Sequence, residues 1–133
     1  MKCNSKCKTS QRKKTASSSN YGMIDTEGVD VLIRSKTPTV ILDARLTEWD
    51  DGKRIPGAKL LTADDAAKHA AKNIPSKKSL VVVYCSNPHC PASSHLADEL
   101  LELGYSNILK YEAGIEGWLK AGKPVEKKKV KQR

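Results

Sequence analysis

At 133 residues the chain has enough length for one hydrophobic core and too little for two. Its formal net charge of +9 comes from its ends: of 24 Lys and Arg, six lie in residues 1–19 and five in residues 126–133, where Glu126 is the one acid. The 13 basic and 14 acidic side chains between them nearly cancel, which argues against a nucleic-acid or membrane face on the body and confines any such role to the ends.

The amino-terminal end is Lys, Ser and Thr with almost nothing apolar, so residues 1–21 are read as a disordered basic tail that cannot offset its ordering entropy. Cys3 and Cys7 sit in it as incidental thiols; if a leader was removed ahead of this numbering, Cys3 becomes a lipid-attachment remnant. No aromatic residue precedes Tyr21, which removes the stacking platform of single-strand binders, so no specific nucleic-acid partner is expected. Neither end carries the apolar stretch of a membrane span or the core of a signal peptide.

From residue 22 strand and helix signals alternate. Gly22 to Ile24 reads as a short strand, and Asp25 or Thr26 caps a helix running to Arg34. Pro38 ends that unit and Thr39 to Asp43 is a strong strand. Gly52 to Gly57 reads as loop, Ala58 to Leu61 as a short strand, and Thr62 with Asp65 as a capping box for an Ala-rich helix ending near Asn73. Glu48 and Trp49 decorate the loop leading to Pro56. Leu80 to Tyr84 is an apolar run with the look of an interior strand, and after a loop Leu96, Ala97, Leu100, Leu101 and Leu103 recur at helical spacing up to Gly104. Asn107 to Tyr111 is the last strand, and Ile115 to Lys120 a short helix closed by Ala121-Gly122. Five strands separated by helices predict an α/β domain over 22–125, with a central, mostly parallel five-stranded sheet and helices on both faces. Residues 126–133 are read as a second disordered basic tail.

In such sheets ligands gather beyond the carboxyl ends of the strands, where Asp43, Cys85 and Glu112 emerge. Cys85 lies at the end of that interior strand, and Pro91 at the first helical position makes Cys90 the N-cap of the next helix. A loop between a strand's end and a helix's start presents backbone amides and the positive end of the helix dipole, an environment that favours thiolate over thiol. Cys85 and Cys90 are therefore the candidate nucleophiles. Ser86, Asn87, Pro88, His89, Ala92 and Ser93 are the residues expected around the substrate. The alternative for both cysteines is burial as small hydrophobes. A zinc site is the weaker reading, since the spacing of Cys85, His89, Cys90 and His95 fits none of the common patterns; no metal or organic cofactor is expected.

Four motifs in order resemble the rhodanese-like sulfurtransferase family. They are Ile41-Leu42-Asp43-Ala44-Arg45, Arg54-Ile55-Pro56-Gly57-Ala58, Val82-Val83-Tyr84-Cys85, and Gly114-Ile115-Glu116-Gly117-Trp118 followed by Ala121-Gly122-Lys123-Pro124-Val125. The resemblance implies the three-layer rhodanese-like fold. It also implies that Cys85 takes a sulfane sulfur from a small-molecule or protein donor, holds it as a persulfide and passes it to a thiophilic acceptor such as cyanide or a thiol. By the same likeness Asp43 and Arg45 form a structural pair near the floor of the site; Trp118, a large aromatic, is read as core packing against the sheet.

Three positions depart from the family pattern. Cys90 stands where the loop often has arginine, the loop is longer, and Arg54 replaces a histidine. Lys and Arg are absent between Lys78 and Lys110, so a dianion such as thiosulfate finds no local cation unless His89, His95 or Arg54 substitutes. A persulfide donor, small or protein-borne, stands beside thiosulfate for that reason. Phosphatase or arsenate-reductase chemistry ranks below sulfur transfer because the loop lacks an arginine fork for an oxyanion. Two further alternatives are a catalytically idle binding module of the same fold and a thiol–disulfide switch joining Cys85 to Cys90. The remaining expectations are a monomer in the cytoplasm, or in the periplasm if a leader was removed.

Overall fold

The computed structural model describes residues 21–45 and 52–127. Cys3, Cys7, Glu48, Trp49 and most of both basic ends lie outside the described residues. Asp25 opens the first helix, α1 (Thr26–Arg34), by accepting a 2.8 Å hydrogen bond from the Gly28 amide, and β1 (Gly22–Ile24) precedes it. The remaining elements are β2 (Val40–Asp43), β3 (Lys53–Arg54), β4 (Lys59–Leu60), α2 (Ala66–Asn73), β5 (Leu80–Tyr84), α3 (Ala92–Glu102), β6 (Asn107–Tyr111), α4 (Gly114–Lys120) and β7 (Glu126–Lys127).

Five strands form one parallel sheet in the order β1-β6-β5-β2-β4. The centre is β5, paired on both edges, and Val81, Val82, Val83 and Tyr84 are all fully buried. A strand covered on both faces needs an apolar residue at every position, which is why Leu80 to Tyr84 shows no polar alternation. Its residues divide between two cores. Val81 and Val83 pack with Leu42, Ala66, Ala70, Leu96 and Leu100, under α2 and α3. Val82 and Tyr84 pack with Val29, Ile41, Tyr111, Ile115 and Trp118, under α1 and α4. The expected three layers are thus present, with two helices on each side of the sheet.

Differences from the sequence expectation lie at the margins. The segment 52–57, expected to be loop throughout, contains β3. It pairs antiparallel with β7, Lys53 opposite Lys127 and Arg54 opposite Glu126. Glu126 and Lys127, read as the start of a disordered end, are therefore part of the folded body, and the Glu126 carboxylate accepts a 3.1 Å bond from the Gly57 amide. Tyr21, placed in the other tail, packs against the α2/α3 core. Thr62 makes no backbone cap: its hydroxyl meets the Asp65 carboxylate at 3.3 Å, a 3₁₀ turn spans Ala63–Asp65, and α2 starts only at Ala66. Trp118 is fully buried, edge-on to Tyr111, and its indole N–H donates to the Pro124 carbonyl at 2.6 Å. That bond fixes the chain's course from α4 towards β7.

At the carboxyl end of β2, buried Asp43 and Arg45 form an ion pair, with Nη2 2.6 Å and Nε 3.0 Å from Oδ2. Arg45 also donates to the Lys53 carbonyl at 2.7 Å, and the Arg54 guanidinium lies 3.9 Å from the same Asp43 oxygen. The Tyr84 hydroxyl donates to Asp43 at 3.2 Å and accepts from the Ile55 amide at 3.3 Å. Burial, and after it the Asp43 charge, push the Tyr84 phenol well above its ordinary range, so it remains a donor. One carboxylate thereby holds β2, β5 and the 53–55 segment together. Removing it leaves two buried guanidinium groups without their shared anion, so Asp43→Ala should cost about 3–5 kcal/mol. Chemical denaturation checks this, and a loss under about 1 kcal/mol would place the cluster among weak exposed pairs.

Candidate active site

Cys85 follows the last residue of β5 and is 2 % exposed. Its backbone is held from the opposite layer by the first turn of α4. The Ile115 amide donates to the Cys85 carbonyl at 2.9 Å and the Glu116 amide to the Ser86 carbonyl at 3.0 Å. So close an approach needs a residue without a side chain. At Gly114, which has φ +69°, a Cβ would sit 2.5 Å from the Cys85 oxygen and 2.7 Å from the Ser86 carbonyl. This contact explains physically why the Gly-x-x-x-Trp motif accompanies the strand-end cysteine: its glycine seats the loop and its tryptophan seats the helix.

Residues 85–91 then turn back on themselves. The Asn87 side-chain oxygen accepts from the His89 amide at 2.9 Å and its backbone carbonyl from the Cys90 amide at 3.1 Å, while its side-chain NH₂ reaches Glu116 at 3.2 Å. The turn brings Cys90 to Cys85, and the two are joined as a disulfide with Cα atoms 6.3 Å apart. Pro91, not Cys90, is the N-cap of α3: its carbonyl receives the His95 amide at 3.1 Å, and no side chain caps this end. The shift by one residue arises because the first intrahelical bond of α3 starts from the Pro91 carbonyl. Cys90 is accordingly a loop residue one step outside the cap.

Both cysteines border a cavity of about 360 Å³ on the α2/α3 side of the sheet. Its other walls are Ala44, the turn Thr62–Asp64, and Pro91, Ala92 and His95 at the start of α3. The first-turn amides of α3 have no intrahelical acceptor, so the positive end of an 11-residue helix lies at the cavity rim beside the two cysteines. Of the residues expected around the substrate, Ala92 lines this cavity. Ser93 is buried within α3, Ser86 bonds to α4, Asn87 bonds to the loop and to Glu116, and Pro88 and His89 are exposed. Asp43 is in register with Tyr84, on the α1/α4 face, so the Asp43–Arg45 pair lies across the sheet from the cavity. Arg54 belongs to that same cluster and does not line the cavity, which leaves His95 as the one candidate substitute cation there. Glu112 faces a separate depression with Asp25 and Thr26.

The wall formed by Ala44 and Thr62–Asp64 was not anticipated. The parallel pairing of β2 with β4 carries the chain to this place, and the usable signal was the abrupt end of both strands at the same sheet edge. Among the described residues no group of three or more His, Cys, Asp or Glu could hold a metal ion, and no helix is long and apolar enough to cross a membrane.

The architecture is thus a parallel α/β sheet whose central strand runs into a cysteine, followed by a loop and a helix amino terminus. The rhodanese-like domain model matches residues 25–121, and the chain belongs to that family. Solved structures agree on the fold. A Bacillus halodurans protein, BH2092, superposes with a TM-score of 0.71 at 22% identity, over 80% of this chain and 77% of its own. A full-length Lactobacillus plantarum protein gives 0.68 at 25% identity, over 79% and 87%. A thiosulfate sulfurtransferase of Pseudomonas aeruginosa gives 0.67 at 24% identity, over 84% of this chain and 21% of that one.

Gly114→Ala tests the clamp on Cys85. Positive φ alone costs about 1–3 kcal/mol, and Gly122→Ala supplies that cost without a clash, since Gly122 has φ +74° and nothing within 4 Å of a built Cβ. Gly114→Ala should melt lower than Gly122→Ala and alkylate Cys85 at an altered rate after reduction. Equal melting and an unchanged rate would show that the contact does not seat the cysteine.

Proposed function

We propose that the protein is a sulfurtransferase that carries a sulfane sulfur on Cys85. The observation that carries this reading is the position of Cys85: at the end of the central strand, clamped through its carbonyl, and open to a cavity rimmed by the α3 amino terminus. Family membership supports it.

With the disulfide opened by an external thiol, the Cys85 thiolate attacks the outer sulfur of a donor persulfide. A new sulfur–sulfur bond forms, the donor's own sulfur–sulfur bond breaks, and the donor leaves as a thiolate that takes a proton from water. The negative charge on the new terminal sulfur rests at the positive end of α3. An acceptor thiolate or cyanide then attacks that terminal sulfur and returns Cys85 as thiolate. Among the described residues the cavity lining has one carboxylate, Asp64, and no Lys or Arg, which disfavours thiosulfate and suits a thiol persulfide. Each missing charge-assisted hydrogen bond is worth about 1.5–3 kcal/mol, a factor of about ten to a hundred in the specificity constant.

The Cys85–Cys90 bond supports a second reading, a switch in which oxidation masks the nucleophile. The two separate on reduced protein challenged with a thiol persulfide under anaerobic conditions. Sulfur transfer predicts turnover to cyanide, abolished in Cys85→Ser, with thiosulfate slower by at least about tenfold. A Cys85→Ser variant that still turns over sulfur would overturn the assignment.

A further inference from the structure

Cys85 and Cys90 are not equivalent. The Cys85 sulfur belongs to a residue that is 2 % exposed and whose backbone is fixed by α4, whereas Cys90 lies on a partly exposed loop returned by the Asn87 turn. When Cys85 carries a persulfide, its own sulfur becomes the inner atom and stays buried, and the transferred atom faces the cavity. An external acceptor then reaches only the outer sulfur. Cys90 alone is already placed at bonding reach of the inner one, as the disulfide between the two residues records. Resting on the sulfur-transfer reading above, we propose that Cys90 is a resolving cysteine that makes the site a persulfide reductase as well as a transferase.

In this step the Cys90 thiolate attacks the inner sulfur of the Cys85 persulfide. The Cys85–Cys90 bond forms, the bond between inner and outer sulfur breaks, and the outer sulfur, taking a proton from water, departs as hydrosulfide. Hydrosulfide is a weaker base than an alkyl thiolate and leaves more readily. Sulfane sulfur is reduced to sulfide while the two cysteine sulfurs are oxidised to the disulfide. A dithiol reductant must supply two electrons and two protons to reopen it. The amides at the start of α3, which favour the thiolate form of a nearby cysteine, serve Cys90 as they serve Cys85. The outcome depends on the acceptor: a good nucleophile in the cavity takes the outer sulfur, and without one the loop closes and sulfide is released.

The test uses the full chain, reduced, freed of reductant and given one equivalent of glutathione persulfide without oxygen. Wild-type protein should release one sulfide per chain and end at the mass of the intramolecular disulfide. Cys90→Ser and Cys90→Ala should retain one added sulfur, release sulfide only slowly in the presence of the one equivalent of glutathione set free on loading, and hold the persulfide at least about tenfold longer, since the intramolecular attack is lost. Equal persulfide lifetimes in wild type and both variants would overturn the resolving role, as would a wild-type chain carrying its added sulfur on Cys90. A wild-type chain that keeps its persulfide yet forms the disulfide with peroxide is a redox switch instead. If Cys90→Ser gains no sulfur at all, sulfur transfer itself fails and the resolving step with it.

Discussion

Two backbone hydrogen bonds, from Ile115 and Glu116 to the carbonyls of Cys85 and Ser86, join the end of the central strand to the start of the last helix. Much of the site depends on them. They stop β5 at Tyr84, turn the chain out of the sheet, and leave the Cys85 side chain on the α2/α3 side while its carbonyl is consumed on the other. They are possible only because Gly114 has no Cβ, and they hold because Trp118, one turn further on, is locked into the core and bonded to Pro124. The same clamp recruits Asn87 through Glu116, so the turn that carries Cys90 back towards Cys85 is tied to the same helix.

Among the described residues, few charged side chains line the cavity. The guanidinium groups of Arg45 and Arg54 are gathered around Asp43 on the α1/α4 face, where they secure β2, β5 and the 53–55 segment rather than a substrate. At the carboxyl end of the sheet, the α3 amino terminus provides a partial positive charge distributed over amides. A diffuse dipole of that kind can hold a singly charged persulfide sulfur without demanding the geometry of a fixed cation. The net charge of +9 therefore says little about the chemistry, because its surplus lies at the two ends.

The long elements were legible in the sequence because local pattern and burial agree there: Leu80 to Tyr84 and Asn107 to Tyr111 have the predicted boundaries, and Asp25 caps α1 as its side chain suggests. Cys85 was legible for the same reason, as the residue following an unbroken apolar run. What was not legible depends on contacts between distant segments. Lys53 and Arg54 carry no strand signal and become one only by pairing with Glu126 and Lys127. Ala44 and Thr62–Asp64 become a wall of the cavity through the pairing of β2 with β4. Arg54 looked available as a substitute cation until its burial beside Asp43 showed its ion-pair role. The N-cap lies at Pro91 and not Cys90 because it is the Pro91 carbonyl that accepts the first intrahelical bond, which composition does not fix.

If the seat of Cys85 favours the thiolate, the cysteine is ionised at neutral pH. The most direct measurement is the rate of alkylation of Cys85 by iodoacetamide as a function of pH, in reduced Cys90→Ser protein, followed by peptide mass. The account predicts a single titration with a midpoint clearly below the ordinary cysteine value of about 8.5. A midpoint at or above that value would show that burial outweighs the amides and the helix dipole, and would contradict the claim.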